Sequence, residues 1–301
     1  MWDRDLAWSF EPTRRRIEDA RTDGVLDGLV AYDDIGACGY ATYAVDGRRG
    51  IIGSVFSAAR VRPKEVEGLL VERILRRLAL SVLETSPLGN PVSAAPTIDC
   101  QTLFTSARDL TWPFRTMGFS SAARIYMDLP REAWRRPKEP VRIAPTSKRF
   151  ERADLKAAAK LVFDAHSASS ALDASSSFDT VDSCERILRQ IVLDEVCGSF
   201  DPAGSQVARL EGEVAALTIL TWPAPGVAHL SEVATAPAFQ RRGLGRYCLS
   251  EALTTAFAQQ GATRATLSVT ASNRPAVVLY ESMGFRPRVG YLSHLWRGQR
   301  P

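Results

Sequence analysis

The segment Ser231–Arg246, Ser-Glu-Val-Ala-Thr-Ala-Pro-Ala-Phe-Gln-Arg-Arg-Gly-Leu-Gly-Arg, constrains this chain more than any other. A short apolar run leads into Gln240-Arg-Arg-Gly-Leu-Gly-Arg246, and a stretch with helical spacing follows. A turn of this kind aims several backbone N–H groups, and the positive end of a helix, at one point. Glycines at 243 and 245 let the main chain approach an anion closely, and Arg241, Arg242 and Arg246 add positive charge. The residues alone therefore read as a phosphate cradle between a strand and a helix. A Gly-x-Gly at a helix start is a weak signal by itself, so its weight comes from what surrounds it.

Downstream lies Ser272-Asn-Arg-Pro-Ala-Val-Val-Leu-Tyr-Glu-Ser-Met-Gly-Phe285, separated from the cradle by room for one helix and one strand. Taken together, the two blocks resemble the GNAT superfamily of N-acetyltransferases. That family's pyrophosphate signature is Gln/Arg-x-x-Gly-x-Gly/Ala, matched here by Gln240, Gly243 and Gly245. Its second hallmark is an Asn followed by a helix ending in Leu-Tyr-Glu-x-x-Gly-Phe. The resemblance is specific over Gln206–Trp296 and weaker over Val141–Ser205.

What the resemblance implies is an α/β fold, a mixed and mostly antiparallel twisted sheet flanked by helices, with two central strands splayed to admit a thioester. It implies acetyl-CoA as cosubstrate, held by Gln240, Arg241, Arg242, Gly243, Leu244, Gly245 and Arg246, with Asn273 on the cofactor arm. Main-chain groups of Val233 and Thr235 would pair with the pantetheine arm as with an added strand, Val233 lying at a bulge that frees an N–H for the acetyl oxygen. By the same resemblance Glu232 is the general base, often acting through water, and Tyr280 the acid for the departing sulfur. Each residue also has a plain structural reading. Glu232 can be a strand carboxylate satisfied by an arginine, Tyr280 a packing aromatic, and Asn273 a helix cap.

Composition bounds the remaining classes. No segment of the 301 residues approaches eighteen uninterrupted apolar positions, which argues against a membrane-spanning helix. The start, Met-Trp-Asp-Arg-Asp, lacks the basic-then-apolar order of a signal peptide. Five scattered cysteines, odd in number, suit reduced thiols in a cytoplasm. Histidines 166, 229 and 294 are far apart in sequence and suggest no metal centre. The net charge of +4 is mild, and no dense basic stripe with interleaved aromatics points to nucleic acid.

The first half reads as a worn copy of the second. Met117-Gly-Phe119 and Met283-Gly-Phe285 each precede an alternating strand, at an offset of 166. At that offset Ser106-Ala107-Arg108 lies over Ser272-Asn273-Arg274, and Phe114 over Tyr280. Further upstream Ser54 pairs with Ser231 at an offset of 177, the difference absorbed around Ser86–Pro96. Opposite Gln240, Gly243 and Gly245 stand Pro63, Val66 and Gly68, and Val55 stands opposite Glu232. Proline removes an N–H donor and valine closes the backbone, so the first copy is expected to bind no acetyl-CoA.

The expected organisation is a degenerate GNAT-like domain over residues 1–130, a connector over 131–140, and a catalytic domain over 141–301. The connector, with Arg131, Trp134, Arg135, Arg136, Pro137, Lys138 and Pro140, reads as polar and solvated. Val141–Ile143 is expected to open the second domain as a strand, and Val181–Val196 to form a helix capped by Asp182 or Ser183. Between them Ser167–Ser177 is a low-complexity polar stretch, a mobile lid or a passive loop.

The expected partner is an amine-bearing small molecule or peptide acceptor, with the chain a monomer whose two halves form a pseudo-dimer. Mycothiol-synthase-like and protein N-terminal acetyltransferase activities, and a non-catalytic acyl-CoA-binding module, stand as alternatives.

Overall fold

The computed structural model describes residues 5–24, 26–58, 62–84, 95–104, 109–137, 145–169 and 175–298. In the first half, helix α1 (Phe10–Thr22) precedes strands β1 (Leu26–Asp33), β2 (Gly36–Asp46) and β3 (Arg49–Ser57). Helix α2 (Pro63–Glu84) then crosses to β4 (Thr97–Gln101), followed by α3 (Trp112–Thr116) and β5 (Ser120–Pro130). The second half opens with β6 (Thr146–Arg149), α4 (Leu155–Ser167), α5 (Val181–Val192) and β7 (Ser199–Phe200). It continues through β8 (Gln206–Leu210), β9 (Glu213–Ala224), β10 (Val227–Thr235) and α6 (Leu244–Thr254) to β11 (Arg264–Thr270), α7 (Arg274–Ser282) and β12 (Arg286–Arg297).

Local sequence explains these elements. In α2 Leu70, Ile74, Leu78 and Val82 recur every four residues, with Val71 and Leu75 beside them, and all six are buried against the first-half sheet. The β8–β9 hairpin turns on Glu211 and Gly212, both at positive φ, the backbone twist that two-residue hairpins favour. Helix α5 starts from Thr180, which forms a reciprocal cap with Ser183, so the N-cap lies two residues before Asp182, the earlier of the two expected caps. It ends at Val192, earlier than the expected Val196.

One sheet runs through both halves, in the order β1-β2-β3-β4-β12-β5-β11-β10-β9-β8-β6, with β7 on β9. Each half lends its last strand to the other. β5 lies against β11 of the second half, β12 lies against β4 of the first, and the two lent strands pair with each other. The registers reproduce the internal repeat residue by residue. Gly50 faces Ile98 where Val227 faces Arg264, at offsets of 177 and 166. Likewise Ser293 faces Gln101 where Met127 faces Leu267. The pseudo-two-fold passes between the pairs Ile125–Gly290 and Arg124–Tyr291. The exchange removes two open sheet edges that separate halves would expose.

Cores follow the exchange. Met127 and Leu129 of β5 are buried among Leu249, Leu253, Phe257 and Phe285 of the second half. At the seam, residues ahead of α1 cross the sheet: Trp8 donates to the Tyr126 hydroxyl at 2.8 Å, and that hydroxyl donates to the Leu6 carbonyl at 2.9 Å.

In the connector Trp134 packs 6.1 Å from the Phe257 ring and Arg136 pairs with Glu251, while Arg131, Arg135 and Arg136 stay exposed as expected. Residues 141–143 lie outside the described residues, and the strand that opens the second half is Thr146–Arg149. The serine-rich stretch finishes in buried structure, since Ser175, Ser176 and Ser177 are each less than a tenth exposed; residues 170–174 lie outside the described set.

The physical reason is a carboxylate from the other half. Asp99 on β4 accepts from the Ser176 amide at 2.8 Å and from the Ser176 hydroxyl, and pairs with Arg49 Nε at 3.0 Å. Arg49 in turn donates to Ser177 Oγ at 2.9 Å. With both charges largely buried, Asp99→Ala should cost about 3 kcal/mol in urea unfolding by leaving Arg49 uncompensated. The Ser176 amide should lose hydrogen-exchange protection in the same variant.

Candidate active site

The parallel pairing of β10 with β11 covers Val227–Leu230 and Arg264–Leu267 and then stops. Both strands continue, to Thr235 and Thr270, so they diverge into a notch whose β10 edge has no partner strand on that side. At the mouth of the notch β10 slips register against β9, Leu230 facing Leu220 and Glu232 facing Ile219. The extra residue is Ser231, not the expected Val233. Its hydroxyl shares a 2.8 Å hydrogen bond with Thr221, which fixes the slip there. Val233 pairs with Thr218 and Thr235 with Ala216 on β9.

Past the end of β10 the chain enters α6 through a turn with alternating handedness. Arg241 has φ of 60° and Gly243 of 88°. Such alternation turns successive N–H groups into one concavity. Gly243 stands at the N-cap with no side-chain cap, and the first helical bond runs from Tyr247 N to Gly243 O at 2.9 Å. The amides of Leu244, Gly245 and Arg246 thus form an uncapped positive helix end. A Cβ on Gly245 would lie 2.8 Å from Thr235 Oγ1, so only glycine lets the helix seat this close to β10.

The side chains of the turn are also placed. Gln240 Nε2 donates to the Thr235 carbonyl at 3.3 Å, Arg242 lies over the Phe239 ring, and Arg246 donates to Ser282 Oγ at 3.1 Å. Asn273 accepts from Ala276 N at 3.3 Å, so it caps α7.

Glu232 and Tyr280 both lie near the notch, close enough for the Glu232 charge to act on the Tyr280 hydroxyl. The Glu232 side chain is 9% exposed, with His166 Nε2 of α4 at 3.8 Å from its Oε1. Tyr280 is buried, its ring 6.0 Å from Phe285. Burial pushes the Tyr280 hydroxyl well above its usual range, the Glu232 charge acts in the same direction, and Arg124 opposes both. Cys184 on α5 also feels Glu232, and mainly through burial its thiol is pushed up to about 12.

Two of these residues, His166 and Arg124, were not singled out from sequence. His166 looked like an isolated histidine. Arg124 belongs to the first half and reaches the site because β5 sits opposite Thr270, the last residue of β11. The other histidines are core groups: burial brings His229 down to about 3 and His294 to about 4. Among the described residues no group of three or more His, Cys, Asp or Glu side chains is placed to hold a metal, and no helix is long and apolar enough to cross a membrane.

The equivalent place in the first half is filled. Val55 is fully buried where Glu232 stands in the second half, and Phe114 stacks on His294 at 3.8 Å where Tyr280 stands. A Cβ on Gly68 would lie 2.4 Å from the Trp112 ring, so the indole lies against the first turns of α2. There α2 and α3 pack together, whereas α6 and α7 scarcely touch and are bridged by the Arg246–Ser282 bond. Ser106–Arg108, expected opposite Ser272–Arg274, fall outside the described residues.

Residues 173–285 match the family model of the Acetyltransferase (GNAT) family. Among solved structures, a GCN5-related N-acetyltransferase from Sphaerobacter thermophilus is similar at TM-score 0.63 and 18% identity, over 93% of this chain and 84% of that one. A GCN5-related N-acetyltransferase from Kribbella flavida is similar at TM-score 0.52 and 17% identity, over 95% of both chains. A tandem GNAT protein from the clavulanic acid biosynthesis pathway is similar at TM-score 0.57 and 11% identity, over 92% of this chain and 84% of that one. A comparison with curated proteins gives no match. At these identities the structural likeness speaks for the fold.

Phe114 shows that the fold accepts a ring without a hydroxyl at the position of Tyr280. Tyr280→Phe should therefore melt within about 2 °C of the wild type in calorimetry. A larger drop would give the hydroxyl a structural role.

Proposed function

We propose that this chain transfers an acetyl group from acetyl-CoA directly to a primary amine in a ternary complex, a reading supported by the match of residues 173–285 to the GNAT family model and by the likeness of the fold to GNAT structures over nearly the whole chain. The observation that carries this reading is the alignment of an uncapped helix end, an unpartnered strand edge and a notch holding Glu232 and Tyr280. The residues fit the nucleotide at each point. The Gln240–Arg246 turn offers amides and arginines to the pyrophosphate, the free edge of β10 through Val233 and Thr235 offers main-chain partners to the amide-bearing arm, and the notch leaves room for a thioester. Asn273, which caps α7, is assigned a further contact to that arm in this reading.

Bound acetyl-CoA supplies an activated acyl group. Glu232 takes the proton of the acceptor ammonium, directly or through water, and so frees the amine to attack. A main-chain N–H freed beside the Ser231 bulge polarises the carbonyl, a contribution of about 2.7–4 kcal/mol for one such donor. Tyr280 faces the departing sulfur. Even at ordinary values, passing its proton to a thiolate would run uphill by about 2 kcal/mol, and burial makes the hydroxyl a still weaker acid. Its role is hydrogen-bond donation to the developing thiolate. The first half, closed by Trp112 and Phe114, takes no cofactor. The acceptor is an amine-bearing small molecule or peptide, no metal takes part, and the chain works as a monomer in the cytoplasm.

Isothermal titration with acetyl-CoA should give one site per chain, abolished by Gly243→Val because valine does not tolerate φ of 88°. Two sites, or binding indifferent to Gly243, would overturn the assignment. With an amine found by screening for thiol release, Glu232→Gln should lower kcat/KM by about 10²–10⁴-fold. No amine raising thiol release above its slow background would favour a binding module.

A further inference from the structure

We infer that His166 is a positioning residue for Glu232, which shares the proton taken from the acceptor and passes it to solvent. This inference rests on the reading of Glu232 as the general base. Its geometry is independent of that reading. His166 Nε2 lies 3.8 Å from Glu232 Oε1, an electrostatic contact rather than a formed hydrogen bond, and such contacts tighten when a substrate is bound. The imidazole does not move freely. It stacks on Phe178 with centroids 3.7 Å apart and planes within 3°. Phe178 closes the turn Ser176–Phe178, which Asp99 and Arg49 of the first half, themselves paired, hold by three hydrogen bonds.

A chain of contacts thus runs from β4 of the first half to the carboxylate in the second. The carboxylate is 9% exposed and has little access to water, whereas the imidazole is 27% exposed and links it to solvent.

The proton balance is simple. The acceptor R–NH₃⁺ gives one proton to the Glu232 carboxylate, leaving R–NH₂. The carboxylic acid gives it to neutral His166 Nε2, restoring the carboxylate beside an imidazolium, and the imidazolium releases it to water. Among the described groups near the pair, Asp179 beside Phe178 is paired with Arg297. Asp164 on α4 is engaged by Lys160, Cys184 on α5 is held as a neutral thiol by burial, and Tyr280 on α7 is held neutral with Arg124 of β5 beside it. The end of α4 itself favours a cation at His166.

Histidine titration by NMR reads the coupling without any acceptor. Burial brings His229 down to about 3 and His294 to about 4, and the His166 signal is assigned by its loss in His166→Gln. Glu232→Gln should lower its midpoint by about half a unit or more. A change below about 0.2 unit, set against such opposite-charge shifts, would overturn the pairing.

The role is then read from thiol release by acetyl-CoA, in water alone and with the amine returned by the screen. His166→Gln should lower kcat/KM about tenfold or more. It should also move the acid limb of the pH profile toward the carboxylate range near about 4.3, with acetyl-CoA affinity unchanged. Imidazole in the buffer should restore part of the rate to His166→Ala. A lowered rate with an unmoved acid limb and no imidazole rescue would leave His166 merely structural. Full activity in Glu232→Gln would instead remove the base reading, and the NMR midpoint would still judge the contact.

Discussion

The antiparallel pairing of β5 with β12 is the interaction on which the rest of the structure depends. Either strand, left in its own half, would leave its partner domain with an open edge beside the parallel pair that makes a notch. Exchanged, they close both edges at once and put the pseudo-two-fold between Arg124–Tyr291 and Ile125–Gly290. The exchange also mixes the cores, because Met127 and Leu129 complete the packing around Phe257 and Phe285. The halves are therefore neither independent domains nor beads on a linker. Trp134 and Arg136, docked on the second half, extend that continuity through the connector.

The place in the first half equivalent to the notch is filled, for reasons visible in the same arrangement. Val55, Phe114 and the Trp112–Gly68 contact fill the first half with apolar side chains where the second keeps a charged carboxylate and a hydroxyl. Filling such a space gains burial and removes the need to satisfy polar groups away from water. The first half meanwhile contributes at its borders: Arg124 from β5, and Asp99 with Arg49 behind the Ser176–Phe178 turn. The residues opposite the cradle lie at the start of α2, whereas these contacts come from β3, β4 and β5, so the two do not compete.

Much of the second half was legible in sequence because its information is local. The apolar strand, the turn at Gly243 and Gly245, the helix that follows, and the Asn273 cap all declare themselves within a few residues. Strand and helix ends shifted by one to four residues, as with α5, where the Thr180 cap outcompeted Asp182. The repeat was legible as well, and the sheet registers reproduce its two offsets. The strand exchange was not. An alternating strand such as Ser120–Pro130 has the same pattern whichever sheet receives it, since alternation specifies a buried face and not a neighbour. The serine stretch misled for a related reason: composition marks it as unable to bury apolar surface, but a distant carboxylate can make its amides and hydroxyls buriable.

This division between local and distant information falls along the functional parts of the site. Everything proposed to hold the nucleotide sits between Val233 and Asn273, on one strand end, one turn and two helix starts. The groups that surround the carboxylate come from α4, the Ser176–Phe178 turn, α7 and the first-half strand β5. A helix end can bind an anion through backbone geometry alone, so its sequence requirement is short and glycine-based. Moving a proton requires side chains converging from several elements, and their convergence is a property of topology. A chain can thus keep a constant cofactor turn while altering what surrounds its carboxylate through changes far away in sequence. The first half, with no cradle of its own, is well placed to impose such changes through Arg124 and Asp99.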